Sequence, residues 1–170
     1  LESLVSRADI DRFRLRCRQF RWLAIFMVCS VGLLLASIHL IFPVLNWIVH
    51  GWAMTPRDTL SSLIWVTSPA FYLFAVWSIG SAMGQLAGGR LIQPVLAAAL
   101  RKVGLALGLG GLFSVFAMTN LLRLVRGGEG GWAYFDVSGM TLGMIGGALF
   151  LLGRVMEQAD RVQSELDEMI

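Results

Sequence analysis

Four long stretches of almost uninterrupted apolar sequence divide the chain. The first, WLAIFMVCSVGLLLASIHLIF, covers residues 22–42 and meets Pro43 at its end. The second covers residues 60–87 and carries Pro69 inside it. The third covers residues 103–125, and the fourth, short and rich in glycine, covers residues 137–153. A helix that crosses a bilayer needs about 20 predominantly apolar residues. The pattern therefore predicts an all-α membrane protein with four transmembrane helices in a single domain. Pro69 removes one backbone hydrogen bond, so a kink is expected at residues 66–69.

Outside these runs the pattern becomes helical and amphipathic. In the amino-terminal segment Ile10, Phe13, Cys17 and Phe20 form one apolar stripe flanked by arginines, with Ser6 and Asp9 as a cap-like start. This predicts a basic helix lying at the membrane interface. Between spans two and three, Gly88 and Gly89 suit a helix stop and RLIQ reads as extended. Pro94 suits the first position of a new helix, which would run along the interface and turn into span three. After Gly153 the last span continues as a helix over residues 154–168. There Val155, Ala159, Val162, Leu166 and Met169 recur at spacings of four, three, four and three, as in a coiled-coil seam. Glu157–Arg161 and Arg161–Glu165 are charge pairs at i,i+4. The tail is acidic and the amino-terminal segment basic, so the two are expected to emerge side by side and touch. The other use of either seam is a partner's helix.

Charge sets the direction of threading. The amino-terminal segment holds Arg7, Arg12, Arg14, Arg16, Arg18 and Arg21; the loop after span two holds Arg90, Arg101 and Lys102; the tail holds Arg154 and Arg161. These are eleven of the 14 basic residues, and four spans place all three regions on one side. Basic short loops stay in the cytoplasm. Both termini are therefore expected to face the cytoplasm. Arg14, Arg18, Arg21, Arg101 and Lys102 are placed to meet lipid headgroups. Trp47, Trp52, Trp132 and Tyr134 then mark the outer interface. The basic lead and the span-length apolar run lack the proportions of a cleavable signal. Composition agrees: 56% of residues are apolar and 15% charged, and the net charge of +3 is small. Span-length apolar sequence directly after the arginines makes anionic lipid the nearer polyanion, so no direct nucleic-acid contact is expected.

Little in the spans points to chemistry. Ionisable residues inside a membrane are costly and mark proton or ion paths, and spans two and four have none between their ends. Asn120 and Arg123 in span three fit interhelical hydrogen bonding and interface snorkelling. His39 and His50 tempt a haem reading, but two bis-histidine haems would need four histidines and the chain has two. Cys17 and Cys29, on one helix, would lie roughly 18 Å apart, too far for a disulfide. GLGLGG and RGGEGG lack the strand-to-helix setting of a phosphate loop. The expectation is a protein that is no enzyme, with no cofactor and no metal site. Small residues recur instead: Gly80, Gly84 and Gly88; Gly104, Gly108 and Gly111; Gly139, Gly143 and Gly147. Such stripes let helices approach closely in lipid. They serve packing within the chain or, for Gly139, Gly143 and Gly147, docking of another membrane protein.

Two stretches, QLAGGRLIQPVLAAALRKVGLALGLGGLFS (residues 85–114) and GRVMEQADRVQSELDEMI (residues 153–170), carry a family resemblance. With the four-span layout they resemble the bacterial membrane family known as domain of unknown function 2975. In that family span two leads through a small-residue–glycine step to an arginine-rich helix, and the last span continues into a charged helix. The resemblance implies no activity and no site residues. Some members are encoded beside a small helix-turn-helix regulator, which implies a membrane partner for such a regulator. Two functions follow. The first is a non-catalytic interaction protein, either an accessory subunit of a larger membrane complex or a tether for a cytoplasmic regulator. The second is a binder of a lipid, quinone or pigment held near Pro69, His39 and Asn120.

Overall fold

The computed structural model describes residues 2–51, 55–89, 91–127 and 136–168. Trp52, Arg90, Trp132, Tyr134 and Met169 fall outside it, as do the side chains of Arg7, Ile10, His50 and Leu166. All regular structure among the described residues is helical, and four helical rods are long and apolar enough to cross a membrane.

The first rod joins α1 (Glu2–Ala36), a π turn (Ser37–Ile41) and α2 (Phe42–His50). Two expectations change here. The amino-terminal segment is not a separate interfacial helix but the continuous beginning of the first rod. No glycine or proline occurs before Gly32, so nothing in the sequence breaks it. Ser6 and Asp9 accordingly lie inside the helix rather than at its start. Nor does Pro43 close the span. The Phe42 N–H reaches back to the Ser37 carbonyl, and this wider π turn accommodates a proline that has no N–H of its own. The rod ends at Gly51, whose φ of 66° is left-handed.

The second rod is α3 (Pro56–Ala87). Thr55 precedes it in an extended conformation and donates its hydroxyl to Asp58 at 2.6 Å, and Pro56 takes the first position. The helix passes through Pro69 without interruption and stops at Gly88 and Gly89, the latter at φ 81°. The third rod joins α4 (Ile92–Leu112), a second π turn (Phe113–Ala117) and α5 (Met118–Arg126). It starts two residues before Pro94, with Leu91 the extended residue. It runs directly into the apolar run, with no interfacial segment turning into it. The fourth rod is α6 (Val137–Glu168), one helix through the apolar run and the charged tail.

The rods pack in the order α1, α3, α4, α6, giving a bundle whose outer members form no interface with each other. The basic amino-terminal helix and the acidic tail, expected to touch, therefore do not pack against each other among the described residues, because α3 and α4 stand between them. Contacts are made by small residues. One cluster joins Cys17, Ala82, Leu86 and Val95; another joins Ala75, Val103 and Ala106. In lipid, close approach of backbones replaces hydrophobic burial as the source of attraction.

The closest approach is between α4 and α6. A methyl group on Gly104 would stand 2.6 Å from the Gly146 carbonyl oxygen, and one on Gly146 would stand 2.7 Å from the Gly104 carbonyl oxygen. Gly111 meets Gly143, and Gly153 meets the Ala97 carbonyl and the Arg101 amide. This corrects the docking stripe. Gly139 and Gly143 face α4 and the Ser114 turn of the same chain, whereas Gly147 has open space around it. The register that packs is 139, 143, 146, 153, which follows the helix face that α4 covers.

Candidate functional site

The first cysteine, the α3–α4 turn and the α6 tail gather at one end of the bundle, since Cys17 packs on Ala82, Leu86 and Val95, and Arg101 reaches Glu157. The described basic residues Arg12, Arg14, Arg16, Arg18 and Arg21 of α1, Arg101 and Lys102 of α4, and Arg154 and Arg161 of α6 belong to this arginine-rich end.

On α1 the face that meets α3 is Arg14, Cys17, Arg21 and Ala24, spaced by three, four and three. Cys17 and Ala24 are buried. Gly80 receives Ala24, the Arg21 stem crosses Gly84, and the Arg14 guanidinium lies beside Gly89. The predicted stripe is thus rotated: Cys17 is in the contact, but Phe13 and Phe20 are 48% and 47% exposed. The physical reason is the shape of α3. Its glycine trough admits a methyl group or a flat arginine stem and has no room for a phenyl ring. Arg14 also meets the carboxyl end of α3, where the helix dipole favours a cation.

Beyond Gly80 and Gly84 two clefts open on either side of a ridge on α3 formed by Trp77, Ser81 and Gln85. The cleft towards α1, of about 360 Å³, is lined by Arg21, Ile25 and the α3 glycines. The cleft towards α4, of about 200 Å³, is lined by Phe74, Val95 and Lys102. Arg18 is exposed on α1. Sequence reading missed the ridge, although its residues recur at i, i+4 and i+8.

On α6, Glu157 accepts from Arg101 and from Arg161, each at 3.1 Å. The expected Glu157–Arg161 pair is present; no ion pair joins Arg161 to Glu165, because Arg161 turns back to Glu157. Arg101 therefore fastens the tail to α4 rather than standing free for lipid. These side chains are 48% and 39% exposed, so Arg101→Ala should lower stability by less than about 1 kcal/mol. A thermal melt in detergent measures it. The Arg154 guanidinium lies 6.0 Å from the Phe150 ring centre. Past this anchor the seam is uncovered: Val155 and Val162 are 64% and 51% exposed and Ala159 is exposed. They border a shallow apolar groove with Gln158 and Gln163.

The opposite end carries two further features. An apolar groove of about 260 Å³ between the first rod and α3 is lined by Gly32, Ala36, His39, Ser62, Val66 and Ala70 among others. It brings His39 next to the Pro69 region, as expected. Asn120 is on α5 and donates to the Phe116 carbonyl at 2.7 Å, away from that groove. The second feature was not singled out in the sequence. Asp136 accepts from the Ser114 hydroxyl at 3.0 Å and from the Ser138 N–H at 3.1 Å, tying the start of α6 to the second π turn. An aspartate immediately before a helical run is the signal that could have found it. Ser37, Thr67 and Thr141 bond back to carbonyls of their own helices. Among the described residues no group of three metal-ligating side chains comes together. Comparison with protein families, curated proteins and solved structures finds no match to this chain.

Proposed function

We propose that this chain is a non-catalytic membrane interaction protein, an accessory subunit of a larger membrane complex or a membrane tether for a cytoplasmic regulator. Its working surface is the arginine-rich end, which lies in the bacterial cytoplasm with both termini. The observation that carries the reading is the uncovered seam on the α6 tail. A helix that leaves the apolar region enters water, where exposed valines are unfavourable unless another helix covers them. Yet Val155, Ala159 and Val162 are all exposed. The charges of Glu157, Asp160 and Arg161 lie off that seam, as in a helix that docks by its apolar side. The resemblance of residues 85–114 and 153–170 to domain of unknown function 2975 supports the same reading.

The test is purification in mild detergent followed by native mass spectrometry. A protein partner should accompany the full chain and be lost when the tail after Gly153 is deleted or when Val155 and Val162 are both changed to Asp. A partner retained by both variants would refute the role of the tail. The second reading, a binder of a lipid, quinone or pigment, is favoured by the His39 groove. It predicts a small molecule that survives the same purification and is lost with His39→Leu.

A further inference from the structure

We propose that the two clefts flanking Trp77, Ser81 and Gln85 form one binding site for the headgroup of an anionic phospholipid. Three observations converge on this surface. Each cleft contributes one cation from a neighbouring helix, Arg21 from α1 and Lys102 from α4, and the ridge between them lines both clefts. The ridge offers the Trp77 indole N–H and the Ser81 hydroxyl, both hydrogen-bond donors. Among the described residues no acidic side chain lines either cleft, and neither Arg21 nor Lys102 makes an ion pair. A surface built of donors and cations, without a countercharge of its own, is complementary to a phosphate.

Depth distinguishes a lipid from a soluble anion. Arg21 is the last basic residue before the apolar run of residues 22–42, and Lys102 is the last before that of residues 103–125. Both cations therefore stand where apolar sequence begins, at the level of headgroups. Above them Ile25, Phe74 and Trp77 line the clefts, and Phe74 and Trp77 are half exposed, a surface suited to acyl chains. Basic pockets between membrane helices are known sites for lipids with more than one phosphate. Two cations on opposite sides of a neutral ridge provide two places for negative charge, so a lipid carrying two phosphates should be held more strongly than one carrying a single phosphate.

The full chain, in mild detergent, is titrated with cardiolipin, phosphatidylglycerol or phosphatidylcholine and the bound lipid counted by native mass spectrometry. Retention should follow that order. Arg21→Gln and Lys102→Gln should each weaken cardiolipin retention about fivefold, the effect of one headgroup-level cation. Arg21→Lys should restore most of the loss. Lys102 is exposed, so its variant tests the site without opening a packed contact; unchanged thermal melting confirms this. Equal retention of phosphatidylcholine would overturn the inference. So would an equal loss in Arg12→Gln, which would mean diffuse attraction to the amino-terminal arginines. Displacement of the lipid by millimolar inorganic phosphate would assign the site to a free anion and likewise overturn it.

Discussion

Gly104→Ala and Gly146→Ala are each expected to destabilise the folded chain by about 1–3 kcal/mol, the range for adding a methylene to a filled contact. The size follows from what each methyl group meets. At Gly104 the obstacles are the Phe150 amide nitrogen and, at 2.6 Å, the Gly146 carbonyl oxygen; at Gly146 they are the Gly108 amide nitrogen and, at 2.7 Å, the Gly104 carbonyl oxygen. Backbone cannot swing aside as the tip of a side chain can, so the two helices must separate. One separation relieves both clashes, because the two positions face each other. The double variant should therefore cost clearly less than the sum of the singles. Gly147→Ala is the control. A methyl group added there would meet nothing within 4 Å outside its own helix turn, and alanine is the better helix former, so the change should be neutral or stabilise by up to about 1 kcal/mol. Denaturation in mixed detergent measures all four. A Gly104→Ala chain as stable as the Gly147→Ala chain would show that α4 and α6 do not approach by this face.

Asp136→Ala is expected to have an effect of similar size, about 2–3 kcal/mol. One carboxylate does two jobs: it accepts the Ser138 N–H at the open start of α6 and the Ser114 hydroxyl on the second π turn. Removing it uncaps the helix and leaves a part-buried hydroxyl to bond back to its own chain. Asp136→Asn keeps an acceptor for the amide and should recover more than half of the loss. Ser114→Ala should cost less than Asp136→Ala, since the cap survives. If the Asp136→Ala and Ser114→Ala effects add with no coupling, the link between α6 and the π turn contributes nothing to stability.

Which parts of this were legible in the sequence depends on the range of the interaction. Gly51, Gly89 and Gly127 end their helices at positive φ, and the glycine pair at the α3 end was readable because a helix stop is a local matter of backbone sterics. The Glu157–Arg161 pair was readable for the same reason, as its partners are one turn apart. Glu157 with Arg101 was not, because those residues are brought together only by the α4–α6 contact. Pro43 was misread as a stop since the compensating π turn depends on the residues before it. The Phe13 and Phe20 stripe was misread because amphipathicity assigns the covered face by polarity. In this bundle fit to the Gly80–Gly84 trough assigns it by size, and an arginine stem fits where a phenyl ring does not.

By itself, then, the sequence determined that the chain is helical, that four of its segments are long and apolar enough to cross a membrane, and where its charges fall along them. These follow from local propensity and hydropathy, which need no knowledge of neighbours. Only the tertiary structure decided that α1 and α6 are separated by α3 and α4, and that Gly146 rather than Gly147 meets α4. It alone placed Arg21 and Lys102 on two sides of one ridge and left the tail seam open. Helix surfaces in a membrane are apolar on every side, so polarity does not say which side is covered. That choice rests on how closely two backbones can approach, and approach is a property of pairs of helices.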